Sequence, residues 1–357
     1  MSSHRSGSSE RSLLLPFEPV RQDGPPRRDQ RDLMERPFFS LSKSRRVTPI
    51  LYRSGGVEVE VHAVPEHGMA SIWDADILIW AGSQLVDAAN AGLPTSRFFR
   101  FTPYHLLTSV GRGTGKQQYD LLKRALTRLQ STAVSTTIRN GPQWRRHRFS
   151  WINEWEERML VCGRCEGMEF VLPDWFYRGV LDHSLVLTID PTYFQLRGGI
   201  ERWLYRVARK HAGRQPRGWA FQVRHLHAKS GSLARPSDFA LDLRRIVARQ
   251  PLPGYALTIE RDATGAEMLR FWPAGPVDKV AAVLRSIGRS GANPIGRSGA
   301  SLSADQAHGS QRSLWDDTRN GDSKESKGES NFRKASDALW KSSPDRGHPP
   351  TGKRQKK

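Results

Sequence analysis

GRGTGKQQYDLLKRALTRLQST, residues 111–132, is the stretch on which the reading of this chain turns. At about 100° per residue, Tyr119, Leu122, Ala125, Leu126 and Leu129 gather on one side of a helix over roughly residues 114–131, and that side needs a core. The opposite side carries Lys116, Gln117, Asp120, Arg124, Thr127 and Arg128. Arginine and glutamine hold paired donors and acceptors that match guanine and adenine edges in the major groove. Glycines 111, 113 and 115 make the preceding turn. Before that turn, Thr102 caps a short helix with Pro103 in its first turn, and residues 98–101 form a short strand. Further upstream a long helix starts at Asp74 or Asp76 and closes at Gly92 and Pro94. Val57, Val59 and Val61 alternate with polar residues as a half-buried strand. Downstream, residues 133–139 alternate, Asn140-Gly141 signals a hairpin, and residues 145–149 return as a basic strand. Helix, strand, helix, helix and hairpin in that order spell a winged helix, with Arg145, Arg146 and Arg148 on the expected wing.

The same order recurs from about residue 198 to 272. Residues 199–212 form a helix ended by Gly213, and Trp219, Phe221 and Val223 alternate as a strand. Residues 224–229 make a short helix, and Pro236 opens the third, which runs to about Gln250. Phe239, Leu243, Ile246 and Val247 face inward there. Ser237, Arg244, Arg245 and Arg249 face outward, with Leu241 and Ala248 placed to touch a thymine methyl. Residues 255–261 and 267–271 form the second wing. Lys229, closing the short helix, joins the DNA-binding candidates. One charged helix face is ordinarily just a solvated one. Two at matching positions favour duplex DNA as the partner.

Charge agrees with this. The chain carries 56 Lys and Arg against 36 Asp and Glu, a formal +20. Residues 1–36 hold 7 basic and 6 acidic groups and residues 274–357 hold 16 and 9, so the body between them carries +12. Such an excess favours a polyanion, because neutralising phosphates releases counterions. Cys162 and Cys165 are the only cysteines, which excludes a disulfide framework. No apolar run is long enough to span a bilayer or to read as a signal peptide, so the expectation is a cytoplasmic protein with no membrane partner. The resulting division is a disordered arm (1–36), a first winged-helix domain (37–190), a second (191–273) and a disordered basic tail (274–357) in which IGRSGA occurs twice, at 287–292 and 295–300. The fold class is α+β. Apolar segments 168–172, 175–176 and 185–189 are expected to tie the halves together.

Three motifs suggest other chemistry. The glycines before Lys116 resemble a phosphate-binding loop, but Val110 stands where the first glycine belongs and Gln117 follows the lysine in place of Ser or Thr. His225 and His227 would bind a metal, as in a DNA-nicking enzyme, only if both lay on one face of a strand. A single CxxC supplies two ligands where zinc needs four, so Cys162 and Cys165 read as a hairpin tip. No catalytic, metal or cofactor site is therefore expected.

Long phrases of the chain resemble the replication initiator protein A family of bacterial plasmids. They are PFFSLSKSRR (37–46), GLPTSRFFRFTPYHLL (92–107), the 111–132 stretch, GIERWLYRVARKHAG (199–213), RHLHAKSGS (224–232) and RPSDFALDLRRIV (235–247). The resemblance implies a non-enzymatic protein that binds repeated sites in a plasmid origin through tandem winged helices, helps open the duplex, and directs the host initiator and replicative helicase there. By position it assigns DNA reading to Lys116, Gln117, Arg124, Arg128, Ser237, Arg244, Arg245 and Arg249. A homodimer is compatible with this reading. A tandem winged-helix transcription regulator would share the physical argument and lack only the family phrases.

Overall fold

The computed structural model describes residues 15–19, 26–139, 146–161, 165–213 and 215–275. The described chain opens with β1 (Arg28–Gln30) and α1 (Arg31–Glu35), then β2 (Ile50–Ser54), β3 (Val57–His62), α2 (Ala75–Asn90), β4 (Phe98–Phe101), α3 (Pro103–Ser109) and α4 (Lys116–Ser131). It continues through β5 (Ala133–Thr136), β6 (His147–Ser150), β7 (Glu154–Met159), β8 (Cys165–Val171), α5 (Asp174–Leu181) and β9 (Val186–Thr188). The second module follows as α6 (Gly199–Ala212), β10 (Trp219–Gln222), α7 (Val223–Ser230), α8 (Pro236–Arg249), β11 (Tyr255–Arg261) and β12 (Glu267–Pro273). Described residues other than 53–57 fall in one compact unit.

Strand order identifies the two modules as copies of one plan. In the second, the short strand after the first helix pairs with the far strand of the hairpin, giving β10-β12-β11. In the first, the equivalent strand β4 pairs with β8, giving β4-β8-β7. Both are winged helices, and α+β is the fold class. Apolar side chains explain the pairing: Phe99 lies opposite Phe170 in the register and stacks on it at 5.1 Å, against Trp80 of α2. In the second module Phe221, Leu269 and Phe271 are buried at the same level. The turn between the second and third helices reverses on a left-handed glycine in both copies, Gly111 (φ 69°) and Gly231 (φ 61°), a conformation that costs glycine little.

The wing of the first module is therefore not the hairpin expected from residues 133–149. That hairpin exists, with Val134 opposite Phe149, but β5 also pairs with β3, and the four strands form a separate sheet, β2-β3-β5-β6. It is held by Phe149 stacked on Trp175 at 4.8 Å and Phe39 on Trp151 at 4.8 Å. The true wing is β7 and β8; Cys165 opens β8, and residues 162–164 of the CGRC motif lie outside the described residues.

The expected arm over residues 1–36 needs a second correction. From residue 26 onward it is built into the fold: β1 pairs antiparallel with β9, and α1 packs on α6. Burying Asp29 and Glu35 requires cations, and α6 supplies them. Arg206 Nε donates to Asp29 at 2.6 Å. Glu35 accepts from Lys210 Nζ and His211 Nε2, both at 2.6 Å, with Lys229 Nζ at 3.4 Å. Residues 1–14 and 20–25 of the arm, and the tail from 276, lie outside the described residues.

This cluster makes stability depend on pH. Burial raises the Glu35 carboxyl, but the His211 hydrogen bond and the charges of Lys210 and Lys229 outweigh burial and hold it far below the usual carboxylate range. Burial lowers the His211 imidazole and prevails over Glu35, which raises it, so at neutral pH His211 donates as a neutral ring. A depressed carboxyl contributes stability above its unfolded value of 4.5 and loses it on acidification. A depressed imidazole likewise costs stability once the unfolded ring takes a proton, below about 6.5. Both signs agree. Thermal melts should show Tm falling as pH drops from 7 to 4, and His211→Gln should flatten the part between about 7 and 5.5. A flat profile in the unmodified chain would contradict the cluster.

Candidate nucleic-acid interface

The third helix of each module buries the face assigned to it. In α4, Leu122, Ala125, Leu126 and Leu129 are buried, and in α8 Phe239, Ala240, Leu243, Ile246 and Val247. Tyr119, expected inside, is half-buried. The outward faces differ from the expectation in informative ways. Lys116, Gln117 and Arg124 of α4 are exposed and have no ion pair among the described residues. Arg128 does not belong with them: its Nε and Nη2 donate to the two carboxylate oxygens of buried Asp74 at 2.8 and 2.7 Å, which raises the guanidinium pKa further. Its place on the flank of the helix lets it reach inward to α2, and it is a structural clamp.

On α8, Ser237, Arg244, Arg245 and Arg249 are all exposed. Arg245 is 64% exposed, and among the described residues its ion pair is with Asp242 of its own helix, at 3.2 Å. Arg244 is tied to Glu267 of the wing at 2.7 Å, and Arg249 to Glu201 of α6 at 2.8 Å. The exposed Arg245–Asp242 pair exchanges readily for a phosphate or a base edge, whereas Arg249 is held by a buried carboxylate, Glu201. Arg235, 82% exposed at the start of α8, extends the cationic face, although sequence reading left it out.

Lys229 is corrected as well. It is 5% exposed, sits 5.0 Å over the Phe221 ring and faces Glu35, so it cannot meet DNA. Arg145 lies outside the described residues. Arg146 is gripped by Glu58 and Glu60 of β3, and Arg148 is exposed on β6, opposite Ser135. Neither is on a wing. The described strands of the actual first wing are net acidic, with Glu154, Glu156 and Glu157 against Arg158 on β7 and Glu166 and Glu169 on β8. One of these, Glu157, reaches Lys123 of α4 at 2.8 Å.

The other motifs resolve locally. Glycines 111, 113 and 115 join two helices and do not follow a strand. His225 and His227 lie on α7, where His225 stacks on Phe221 and His227 bonds the Ala234 carbonyl at 2.8 Å. The strand geometry that a shared metal requires is absent there. No group of three metal-binding side chains occurs among the described residues, and no described helix is long and apolar enough to cross a membrane.

Sequence reading missed the residues that hold the interface in place. Asp74, Asp76, Arg112 and Arg202 form buried or half-buried ion pairs among α2, the turn before α4, α4 and α6. Acidic residues at a helix start read as ordinary capping, and no local signal named their distant partners.

A family model described as Replication initiator protein A matches residues 28–257. A Wigglesworthia glossinidia brevipalpis protein named "Putative replication protein" is 32% identical over 226 residues, which cover 62% of this chain and 81% of that one. Two crystal structures of RctB domains 2 and 3 align with TM-scores of 0.48 and 0.46, at 13% and 12% identity. They cover 66% and 68% of this chain and 94% and 97% of theirs.

Proposed function

The chain belongs to the replication initiator protein A family, and from that membership we propose that it initiates plasmid replication by sequence-specific binding to repeated duplex sites in the origin. One observation carries the DNA-reading part: the equivalent helix in two copies of one fold presents exposed cations, Lys116 and Arg124 on α4 and Arg244, Arg245 and Arg249 on α8. In this reading α4 and α8 enter successive major grooves about one helical turn apart. Gln117 and Ser237 add hydrogen bonds to bases, and Arg148 contacts phosphate, which sets register without specifying sequence. Binding at adjacent repeats strains the duplex, and flexible or A·T-rich steps yield first. The host initiator and replicative helicase then load at the opened segment. The protein works in the cytoplasm, with no cofactor and no catalysis of its own.

Footprinting on the DNA flanking the gene tests this reading. Protection of several direct repeats is the expected result, and protection of a single promoter operator would favour a transcription regulator. Arg245→Ala should weaken binding by about 1–3 kcal/mol and relax base preference at one position of the repeat. Equal losses on specific and random DNA in a gel-shift titration would remove Arg245 as a base reader.

A further inference from the structure

The reading helices are joined through one buried carboxylate. Asp76, in the first turn of α2, is 1% exposed. Its Oδ2 accepts from Arg112 Nη2 at 2.8 Å and its Oδ1 from Arg202 Nη1 at 2.8 Å. Arg112 lies in the turn directly before α4 and also donates to the Trp73 carbonyl at 2.7 Å, so it fixes the end of α4 that carries Lys116 and Gln117. Arg202 lies in α6 of the other module, and its remaining donors bond the carbonyls of Leu196 and Phe194, both at 2.8 Å. Its neighbour Glu201 pairs with Arg249 of α8. A continuous path of directional contacts thus runs from the start of α4, through Asp76, to α8.

Apolar packing alone would hold the modules together while tolerating small rotations. A buried carboxylate shared by two guanidinium groups tolerates few, because any slip leaves a charge unpaired in a dry site. We propose that Asp76 is a positioning residue that locks the α4 and α8 reading faces in one relation, so that the protein accepts its two sets of base contacts at a single spacing. This rests on the DNA-reading assignment above, and it adds that spacing is set inside the protein by a residue that touches no DNA.

The test uses two readouts on the full chain. Spin labels at Asp120→Cys and Leu241→Cys, both exposed positions, in a background with Cys162→Ser and Cys165→Ser, should give one narrow distance distribution, which Asp76→Asn should broaden or split. Gel shifts on the footprinted repeat, and on versions with one or two base pairs inserted between its halves, supply the second readout. The unmodified protein should lose about tenfold or more in affinity on insertion, and Asp76→Asn about threefold or less, by the same measure of discrimination. An unchanged distance distribution, or unchanged spacing discrimination, overturns the proposal. If Asp76→Asn does not fold by circular dichroism, Arg112→Lys frees only the turn before α4, keeps the Asp76–Arg202 pair, and is judged by the same two outcomes. Should the unmodified protein show no preference for any origin sequence, the functional reading falls, and the distance measurement alone still decides the coupling.

Discussion

Replacing Arg206 with methionine is expected to lower the free energy of unfolding by about 3–5 kcal/mol, seen as an earlier midpoint in urea with an unchanged slope. Arg206 and Asp29 are both buried, their side chains 2% exposed, and bonded through two donors at 2.6 and 3.1 Å. Burial lowers the guanidinium pKa, but the charge of Asp29 and its hydrogen bond raise it on balance, so it stays charged. Methionine keeps much of the volume and removes the charge. Asp29 would then hold a carboxylate with only the Gln30 amide, at 2.8 Å, to meet it, and an unpaired buried charge is far costlier than a missing pair. For that reason the double variant Asp29→Leu with Arg206→Met should recover most of the loss. A single-variant cost under about 1 kcal/mol would mean that the segment from β1 to α1 contributes little to the fold.

The second large effect separates a clamp from a reader on the same helix. Arg128→Ala should cost about 2–4 kcal/mol of stability, less than Arg206 because its side chain is 27% exposed, yet enough because Asp74 loses two charged hydrogen bonds. Asp74 would keep the Ser71 amide and hydroxyl, at 2.8 and 3.0 Å, which limits the loss. Base preference on origin repeats should be unchanged. Arg124→Ala, by contrast, should leave the melting temperature alone and alter binding. A shifted base preference in Arg128→Ala at a temperature where it remains folded would return that residue to the interface.

Periodicity carried the reading of α4 and α8, because a stripe of leucines or of Phe239, Leu243 and Ile246 has one way to be buried. It could not rank residues at the edge of the stripe. Arg128 sits roughly 110° from the core direction at 100° per residue, near enough for a long side chain to turn inward toward an acid that only the tertiary structure supplies. Strand pairing was less legible still. Residues 133–149 contain the strongest local hairpin signal, Asn140-Gly141, so the nearest hairpin looked like the wing. The partner that β4 finds, β8, lies about 70 residues away and is recognised through Phe99 meeting Phe170, which local alternation does not encode. Residues 28–35 escaped for a related reason. A three-residue strand and a five-residue helix are too short to show a period, and their acids look solvated until α6 is in view.

Those acids also set the order in which the molecule can be completed on the ribosome. Asp29 and Arg206 are 177 residues apart in the chain, and Glu35 and Lys229 are 194 apart. While it is being synthesised, the first half carries carboxylates whose counterions have not yet been translated. The segment from β1 to α1 therefore cannot complete its ion pairs until α6 and α7 have emerged. Closure of these long loops makes the last docking slow, since ordering entropy is spent before any contact repays it. A nascent chain stopped before residue 199 would leave Asp29 and Glu35 without their cations and expose that seam to proteases and to its own neighbours.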